Sequence, residues 1–266
     1  MAIKPGFPPT VVNPTGNAAV IFLHGLGDTG RNLSMLASAF RLPHVKFVFP
    51  TAPTRRVTIN MGASMPAWFD LYDVQSIATG RNDKQGIAEA TTYLGQLVEE
   101  EIKAGIPAER IAVGGFSQGG HVALKYSLTA QRAPAACVAL STWLEPDTQT
   151  ASTANLATKY FLGHGTADPL IPCFLLETTK SALASKGVKD VDLRTYQGVQ
   201  HSTSMEELDD VRDFLLRALS DAPPPTREEV ERMSVRELKA LLTSRGVDTH
   251  SFLERSEFVE RAKALL

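Results

Sequence analysis

Short apolar runs alternate with longer stretches of helical periodicity along the first 219 residues of the chain. The runs have the length of buried β-strands and lie at 18–24, 45–50, 110–115, 135–141, 159–163 and 191–196. The helical stretches lie between them, at 32–40, 85–104, 118–128, 173–186 and 205–219. Strands that alternate with helices in this way form a parallel sheet with helices on both faces. We therefore predict an α/β domain over residues 1–219.

The pattern changes after this domain. Three consecutive prolines make residues 220–226 a stiff linker that cannot continue a helix. Residues 227–266 have a helix–turn–helix pattern of their own, in which Ser234 and Glu237 form a capping box. Gly246 is expected to end this helix, and a second helix is expected to follow. We therefore expect three parts: a catalytic α/β domain, a linker and a small all-α module.

The pentapeptide Gly115–Gly119 reads G-x-S-x-G, directly after one predicted strand and before a predicted helix. In this context the motif is typical of a nucleophile elbow, a tight turn that projects its serine above a sheet. Gly115 and Gly119 leave room where the strand and the helix nearly touch. We therefore predict that Ser117 is a catalytic nucleophile.

An elbow serine needs a general base and an acid that orients the base, and in α/β-hydrolases the chain order is Ser, acid, His. Asp168 and His201 each follow a predicted strand, in that order. His164 is too close to Asp168 in sequence to be the base that this aspartate orients. His121 lies on the helix after Ser117 and is interpreted as a packing residue.

The backbone amide of Gln118 and one amide of the loop at 24–30 are expected to form an oxyanion hole. That loop also reads G-x-G-x-x-G, which makes a dinucleotide site the alternative. Such a site needs an acidic residue about 20 positions on, and no carboxylate follows the next strand before Asp70. A phosphate loop is disfavoured too, because Arg31-Asn32 stand where Lys and Ser/Thr are needed.

Together these motifs resemble the acyl-protein thioesterases of the phospholipase/carboxylesterase family of α/β-hydrolases. The resemblance covers the first 219 residues. It is based on the segments Phe22–Gly30, Met65–Asp70, Gly105–Pro107, Gly114–Gly120, Leu140–Ser141 with Trp143–Leu144, Asp168–Leu170, and Gly198 with His201–Ser202. It implies an α/β-hydrolase fold with a mostly parallel sheet.

The resemblance also implies site residues and an activity. The catalytic residues would be Ser117, Asp168 and His201, and the oxyanion amides those of Leu26 and Gln118. The activity would be hydrolysis of S-palmitoyl thioesters on proteins, with lysophospholipid and small-ester hydrolysis beside it and no cofactor. The residues alone indicate a serine esterase or thioesterase, which leaves a general short-chain carboxylesterase open. A receptor that binds acyl ligands without turnover is a further hypothesis, which the complete triad argues against.

Three apolar residues are expected to meet at the end of the sheet that carries the site. Leu26 lies in the predicted oxyanion loop, Trp143 after the fourth apolar run and Leu170 in the acid loop. An apolar lining there suits a long acyl chain, at about 0.8 kcal/mol per buried methylene. The alternative is that all three are ordinary core or rim residues.

Composition narrows the partners and the compartment. The chain has 266 residues, 43% of them apolar, and a net charge of −2, which does not favour nucleic acid or an anionic membrane as the main partner. Its two cysteines form no disulfide framework or metal site. The start of the sequence lacks the apolar segment of a secretory signal, so we expect the cytoplasm. Some relatives carry an acylated cysteine at position 2, where this chain has Ala2, so only transient membrane-surface contact is expected.

The C-terminal module resembles SAP-type helical modules, some of which occur on DNA-binding proteins. Residues 227–266 carry eight Lys/Arg and eight Asp/Glu, whereas DNA binding calls for a basic face. We therefore favour a protein partner, or a docked stabilising role, over nucleic acid.

Overall fold

In a computed structural model, the chain forms an α/β domain followed by three helices. The structure describes residues 7–73, 77, 81–145, 153–219, 227–243, 247, 249, 252 and 254–264. The strands are β1 Thr10–Val12, β2 Ala18–Leu23, β3 Val45–Phe49, β4 Thr54–Val57, β5 Ala63–Pro66, β6 Ile111–Phe116, β7 Ala136–Leu140, β8 Lys159–Gly165 and β9 Val191–Tyr196. The α-helices are α1 Gly30–Leu33, α2 Met35–Phe40, α3 Lys84–Lys103, α4 Gln118–Thr129, α5 Phe174–Ser185, α6 Met205–Ala218, α7 Arg227–Arg232, α8 Val235–Thr243 and α9 Arg255–Lys263.

Seven of the strands form one sheet in the order β1-β3-β2-β6-β7-β8-β9. All neighbouring pairs are parallel except β1, which runs antiparallel to β3 at one edge. Every residue of β2 and β7 is buried, as expected of central parallel strands that are covered on both faces. The six predicted strands are all present in this sheet.

Helices cover both faces of the sheet, which confirms the predicted fold class. Alternate residues of β2 point to opposite sides, so Ile21 joins the apolar core under α3, α4 and α5, and Phe22 joins the core under α2 and α6. Each large aliphatic side chain that is fully buried in these cores stabilises the fold by about 1.5–3 kcal/mol. The sheet is therefore a rigid platform whose loops can carry a site.

Three features of the domain differ from the sequence pattern. The edge strand β1 has only three residues, and the hairpin of β4 and β5 has mostly exposed or half-buried positions, so neither gives an apolar run. The helix predicted at 32–40 begins earlier, because the Thr29 hydroxyl caps it at the Asn32 amide, and it is divided at Ser34. The Ser34 hydroxyl donates to the Arg31 carbonyl at this division.

The C-terminal helices α7, α8 and α9 pack around an apolar cluster of their own. Its buried members are Val230, Leu238, Leu242, Phe258, Val259 and Ala262. Both bonds of the predicted capping box are present, from the Ser234 amide to the Glu237 carboxylate and from the Glu237 amide to the Ser234 hydroxyl. Helix α7 was not apparent from the sequence. The predicted linker at 220–226 and Gly246 lie outside the described residues.

Candidate active site

Four parallel strands end at the same edge of the sheet, and the loops that follow them carry the predicted site residues. The loop after β2 contains Leu26, the residue after β6 is Ser117, the loop after β8 contains Asp168, and the loop after β9 contains His201. The carboxyl edge of a parallel sheet is where α/β proteins place their ligands. The sheet order therefore explains why residues far apart in sequence meet here.

Ser117 lies in a sharp turn between β6 and α4. Its backbone has φ 52° and ψ −118°, a conformation that residues other than glycine rarely adopt and that costs about 1–3 kcal/mol. The Ser117 amide donates to the Leu140 carbonyl at 2.8 Å, and the Thr142 hydroxyl donates to the Ser117 carbonyl at 2.7 Å. These two bonds from β7 and its following loop hold the strained turn in place.

The two glycines of the motif are required by the same close approach. A Cβ atom on Gly115 would lie 2.3 Å from the Gly119 carbonyl carbon, and one on Gly119 would lie 2.3 Å from the Leu23 carbonyl oxygen. Neither backbone neighbour could give way locally. The helix after the serine thus begins directly against the ends of β2 and β6.

The three predicted catalytic side chains form a continuous hydrogen-bonded line. The Asp168 carboxylate accepts from His201 Nδ1 at 2.7 Å, and His201 Nε2 lies 3.0 Å from Ser117 Oγ. Because a carboxylate only accepts, His201 Nδ1 carries the proton and Nε2 is left to accept the serine proton. The Phe116 ring lies 4.8 Å from the imidazole, centre to centre, and supports its orientation.

The acid is held from behind by its own loop. Asp168 Oδ1 accepts from the backbone amides of Leu170 and Ile171, both at 2.9 Å, which leaves Oδ2 directed at His201. His164 Nε2 lies 3.4 Å from Oδ2 and donates to the Ile171 carbonyl at 2.8 Å. Burial lowers the pKa of His164, so its ring is neutral at pH 7. His164 is thus not the general base; it contacts the Asp168 carboxylate from the protein interior.

The loop after β2 lies against the elbow. A Cβ atom on Gly25 would lie 3.2 Å from the Phe116 ring and 3.5 Å from Ser117 Cβ. The Gly27 amide donates to the Pro66 carbonyl at 2.9 Å. Leu26, whose amide is one of the two predicted oxyanion donors, lies between these two glycines. The other donor, Gln118, is the first residue of α4.

The three predicted acyl-contact residues differ in exposure. Leu170 is 54% exposed, and Leu26 is half-buried. Trp143 is only 2% exposed and packs in the core against Phe69 and the His121 ring. This burial favours the core interpretation for Trp143, whereas Leu170 is available at the surface.

The side chains of His121 and Gln118 both form hydrogen bonds to backbone groups beneath the site. His121 is fully buried, and its Nδ1 donates to the Trp143 carbonyl at 3.0 Å, in agreement with the packing role predicted for it. The Gln118 side-chain amide bonds to the backbone of Trp68 and Phe69. Sequence reasoning assigned Gln118 only a backbone role, and no local pattern signals a contact across 50 residues.

A serine, an imidazole and a buried carboxylate in this order can carry out nucleophilic attack on a carbonyl carbon. The fold and the site thus define an α/β-hydrolase of the serine type. A family model described as Phospholipase/Carboxylesterase matches residues 9–219. The chain belongs to this family and is a hydrolase, which confirms the resemblance drawn from the motifs.

Individual relatives agree with this membership. The chain is 38% identical over 226 residues to "Acyl-protein thioesterase 1" of Neurospora crassa, covering 80% of this chain and 92% of that protein. It is 39% identical over 206 residues to the protein of the same name from Yarrowia lipolytica, covering 74% and 90%. The crystal structure of Zea mays acyl-protein thioesterase 2 matches with a TM-score of 0.69 and 29% identity, covering 80% of this chain and 99% of that chain.

The C-terminal region has a separate match. A model described as an E3 ubiquitin-protein ligase rififylin-like domain matches residues 225–266. This range contains α7, α8 and α9. None of the described helices is long and apolar enough to cross a membrane.

Proposed function

We propose that the protein is a serine hydrolase that removes S-acyl groups, palmitoyl in particular, from protein cysteines. Hydrolysis of lysophospholipids and small carboxylic esters is proposed as side activity. The observation that carries this proposal is the line from Asp168 through His201 to Ser117, with separations of 2.7 and 3.0 Å. The names of the fungal relatives, acyl-protein thioesterase 1, support the thioester as the substrate bond.

In the proposed reaction, Ser117 Oγ attacks the thioester carbonyl and His201 Nε2 takes its proton. Asp168 fixes the imidazole tautomer and stabilises the imidazolium. The amides of Leu26 and Gln118 donate to the oxyanion, and collapse of the tetrahedral intermediate expels the cysteine thiol of the substrate, protonated by His201. Water then hydrolyses the acyl-enzyme by the same route. No cofactor takes part in these steps.

Leu170, with Leu26, is proposed to contact the acyl chain at the mouth of the site. Leu170 lies two residues beyond the acid and is 54% exposed, so its side chain is free to cover a bound methylene chain. Trp143 is proposed to act beneath them, as a buried support rather than a direct lining. We further propose action in the cytoplasm on S-acylated proteins, with transient contact at membrane surfaces and no nucleic acid partner.

The module at 227–266 is proposed to bind a protein partner, or else to stabilise the enzyme. The model that matches this region is named for a ubiquitin-protein ligase, which supports a role in binding a protein. Its exposed positions mix both signs of charge, with Arg236 and Glu237 adjacent on α8. Such a surface suits a protein partner better than a phosphate backbone.

Substitution of the nucleophile tests the proposal. Ser117→Ala should lower kcat by roughly a thousandfold or more on a palmitoyl-peptide thioester and on p-nitrophenyl esters, with an unchanged melting temperature or a higher one. The matched control is Ser141→Ala, at a buried serine with φ 46° directly after β7; this variant should keep its turnover. Wild-type kcat in Ser117→Ala would reject the mechanism.

The same assay separates the alternatives. Esters of graded chain length should show kcat/KM rising with length, and Leu170→Asp should lower it far more for long chains than for acetyl. A preference for acetyl in the wild-type protein would indicate a general short-chain carboxylesterase. Stoichiometric labelling of Ser117 by a fluorophosphonate, together with multiple turnovers of ester, would reject the acyl-ligand receptor, whereas binding of an acyl ligand without turnover would favour it.

A further inference from the structure

A short segment, residues 66–69, connects the two parts of the chain that carry the proposed oxyanion amides. We call it the bridging segment. It begins at Pro66, the last residue of the hairpin strand β5, and is far in sequence from both the loop after β2 and the elbow. None of its residues has a role in the proposed reaction, yet its contacts lie on both sides of the nucleophile.

On one side the bridging segment binds the loop that contains Leu26. The indole Nε1 of Trp68 donates to the His24 carbonyl at 2.8 Å. The Gly27 amide donates to the Pro66 carbonyl at 2.9 Å. These bonds hold the chain two residues before and one residue after Leu26, so they fix the direction of the amide between them.

On the other side the bridging segment binds the elbow. The Trp68 backbone amide donates to Gln118 Oε1 at 2.8 Å, and Gln118 Nε2 donates to the Phe69 carbonyl, also at 2.8 Å. The Gln118 side chain is therefore clamped at both ends of its amide. It is 2% exposed, so water does not compete for these bonds.

Trp68 belongs to both sets of bonds. Its backbone amide holds Gln118 and its indole holds the His24 carbonyl, and the side chain is fully buried. The ring packs against the His24 ring at 5.1 Å and stacks on Tyr93 at 6.3 Å, so its position is set by the core. Trp68, through one backbone N–H and one indole N–H, thus joins the two segments that carry the proposed oxyanion amides.

We propose that Trp68 is a positioning residue for the oxyanion hole, which fixes the separation between the amides of Leu26 and Gln118. The proposal rests on the hydrolase function proposed above. Trp68 acts through other groups, since it does not itself touch the acyl carbonyl. Preorganised donors are effective only when they point at the place where charge develops, and a small misplacement weakens them in the transition state more than in the ground state.

The test is Trp68→Phe, which keeps an aromatic ring and the backbone amide but removes the Nε1 donor to His24. We expect kcat on p-nitrophenyl butyrate to fall about 10- to 100-fold with KM within about twofold. The affinity for an alkyl boronic acid, which forms a tetrahedral adduct with the serine, should fall by the same factor as kcat. A purely structural role would not produce this parallel loss.

The control is Tyr93→Leu, which removes the ring stacked on Trp68 but leaves both Trp68 hydrogen bonds. It should lower the melting temperature at least as much as Trp68→Phe while kcat and boronate affinity change little. If Trp68→Phe does not fold, Gln118→Ala carries the test, because it cuts the other side of the bridge and keeps the backbone amide. That variant should show the same parallel loss.

Retention of kcat and boronate affinity within twofold in Trp68→Phe, or a rise in KM alone, would overturn the positioning role. Failure of the proposed function has a different signature. In that case the wild-type protein itself would not turn over esters or react with a fluorophosphonate at Ser117.

Discussion

The stability of the folded protein depends on the protonation state of a buried carboxyl group, that of Glu207. Glu207, in the first turn of α6, is fully buried. It packs on Gly163 of β8, where a Cβ atom would lie 2.3 Å from Oε1. Burial raises the pKa of Glu207 to about 8; a hydrogen bond with the Ser204 backbone opposes this shift, and the nearby Asp210 carboxylate adds to it. The folded protein therefore holds Glu207 as a neutral acid at pH 7.

This group should make the folded state less stable as the pH rises. In the unfolded chain Glu207 ionises at its ordinary pKa of about 4.3, whereas the folded protein keeps the proton until about pH 8. Its contribution is therefore fully present below pH 4 and is lost progressively up to about pH 8. Glu207→Gln should remove this loss. We expect the difference in free energy of unfolding, variant minus wild type, to increase by at least about 2 kcal/mol from pH 5 to pH 9. Urea denaturation at each pH measures it.

The control for this titration is Glu206→Gln, the adjacent and exposed glutamate. Its difference from wild type should stay constant over the same range. A Glu207→Gln difference that is equally flat, or that shrinks as the pH rises, would show that the folded protein accommodates the ionised carboxylate.

At the level of single residues, the sequence predicts those parts of the site that follow local rules. Ser117 is marked by its motif, and Asp168 and His201 by their order and their places after strands. The supports around them could not be predicted in this way. His164 contacts Asp168 only because the acid loop folds back on β8, and the Trp68 bonds to Gln118 and His24 span 50 and 44 residues. Such contacts depend on the tertiary fold.

Among the structural elements, the start of α4 has little room for a larger side chain. Gly119 lies against the ends of two strands, and a Cβ atom there would lie 2.3 Å from the Leu23 carbonyl oxygen and 2.6 Å from that of His24. Both neighbours are backbone atoms of β2 and its loop. An added methyl group must therefore push the helix away from the sheet, and Ser117 moves with the helix.

Gly119→Ala should consequently reduce both stability and activity. We expect a loss of about 1–3 kcal/mol in the free energy of unfolding, because overpacking forces backbone shifts. The drop in kcat on acetyl esters should be larger than this loss of stability explains, since the elbow geometry itself changes. Thermal melts and steady-state kinetics on the same preparation measure the two effects.

Gly95→Ala is the matched control, in the middle of α3. Its new methyl group would meet only the edge of the Tyr126 ring, at 3.3 Å, and alanine favours the helix by up to about 1 kcal/mol. This variant should keep its activity. Equal behaviour of the two variants would contradict the view that the elbow is limited by backbone contact.

The elements themselves were predictable where burial dictates the pattern. The central strands are apolar at every position, and this continuous burial made them recognisable. The hairpin of β4 and β5 has no such signal, because its positions are mostly exposed or half-buried. It is held by pairing between its two strands and by the Asp70 carboxylate, which accepts from the Thr58 amide at 2.7 Å. These contacts leave no periodicity in the sequence.

At the scale of the whole molecule, the C-terminal helices and the hydrolase domain have separate apolar cores. Among the described residues, the buried members of the cluster of α7, α8 and α9 all lie between Val230 and Ala262. The two cores of the domain draw their buried members from residues 18–219. The proposed catalytic line is complete at His201, and α6 ends at Ala218. The proposed catalytic residues and the C-terminal helices thus lie in consecutive parts of the chain.

Deletion of residues 221–266 should therefore leave hydrolysis of acetyl esters nearly unchanged. Proline-rich connections between domains are places where few contacts cross, so a cut there disturbs little. The control is full-length Leu238→Asp, which places a charge in the core of the module and should unfold it without shortening the chain. Both variants should keep kcat/KM on p-nitrophenyl acetate within about twofold of wild type.

The same two variants decide what the module contributes. If it binds a protein partner, both should cleave free palmitoyl-peptide thioesters as well as wild type but lose particular acylated proteins as substrates. If it is a docked stabiliser, the melting temperature of the hydrolase domain should fall with substrate choice unchanged. A nucleic acid role would require that the isolated module bind DNA with an affinity that drops steeply with salt, which its equal numbers of acidic and basic residues argue against. Loss of acetyl-ester hydrolysis in a truncated protein that still folds would place the module in the active site, contrary to the separate cores.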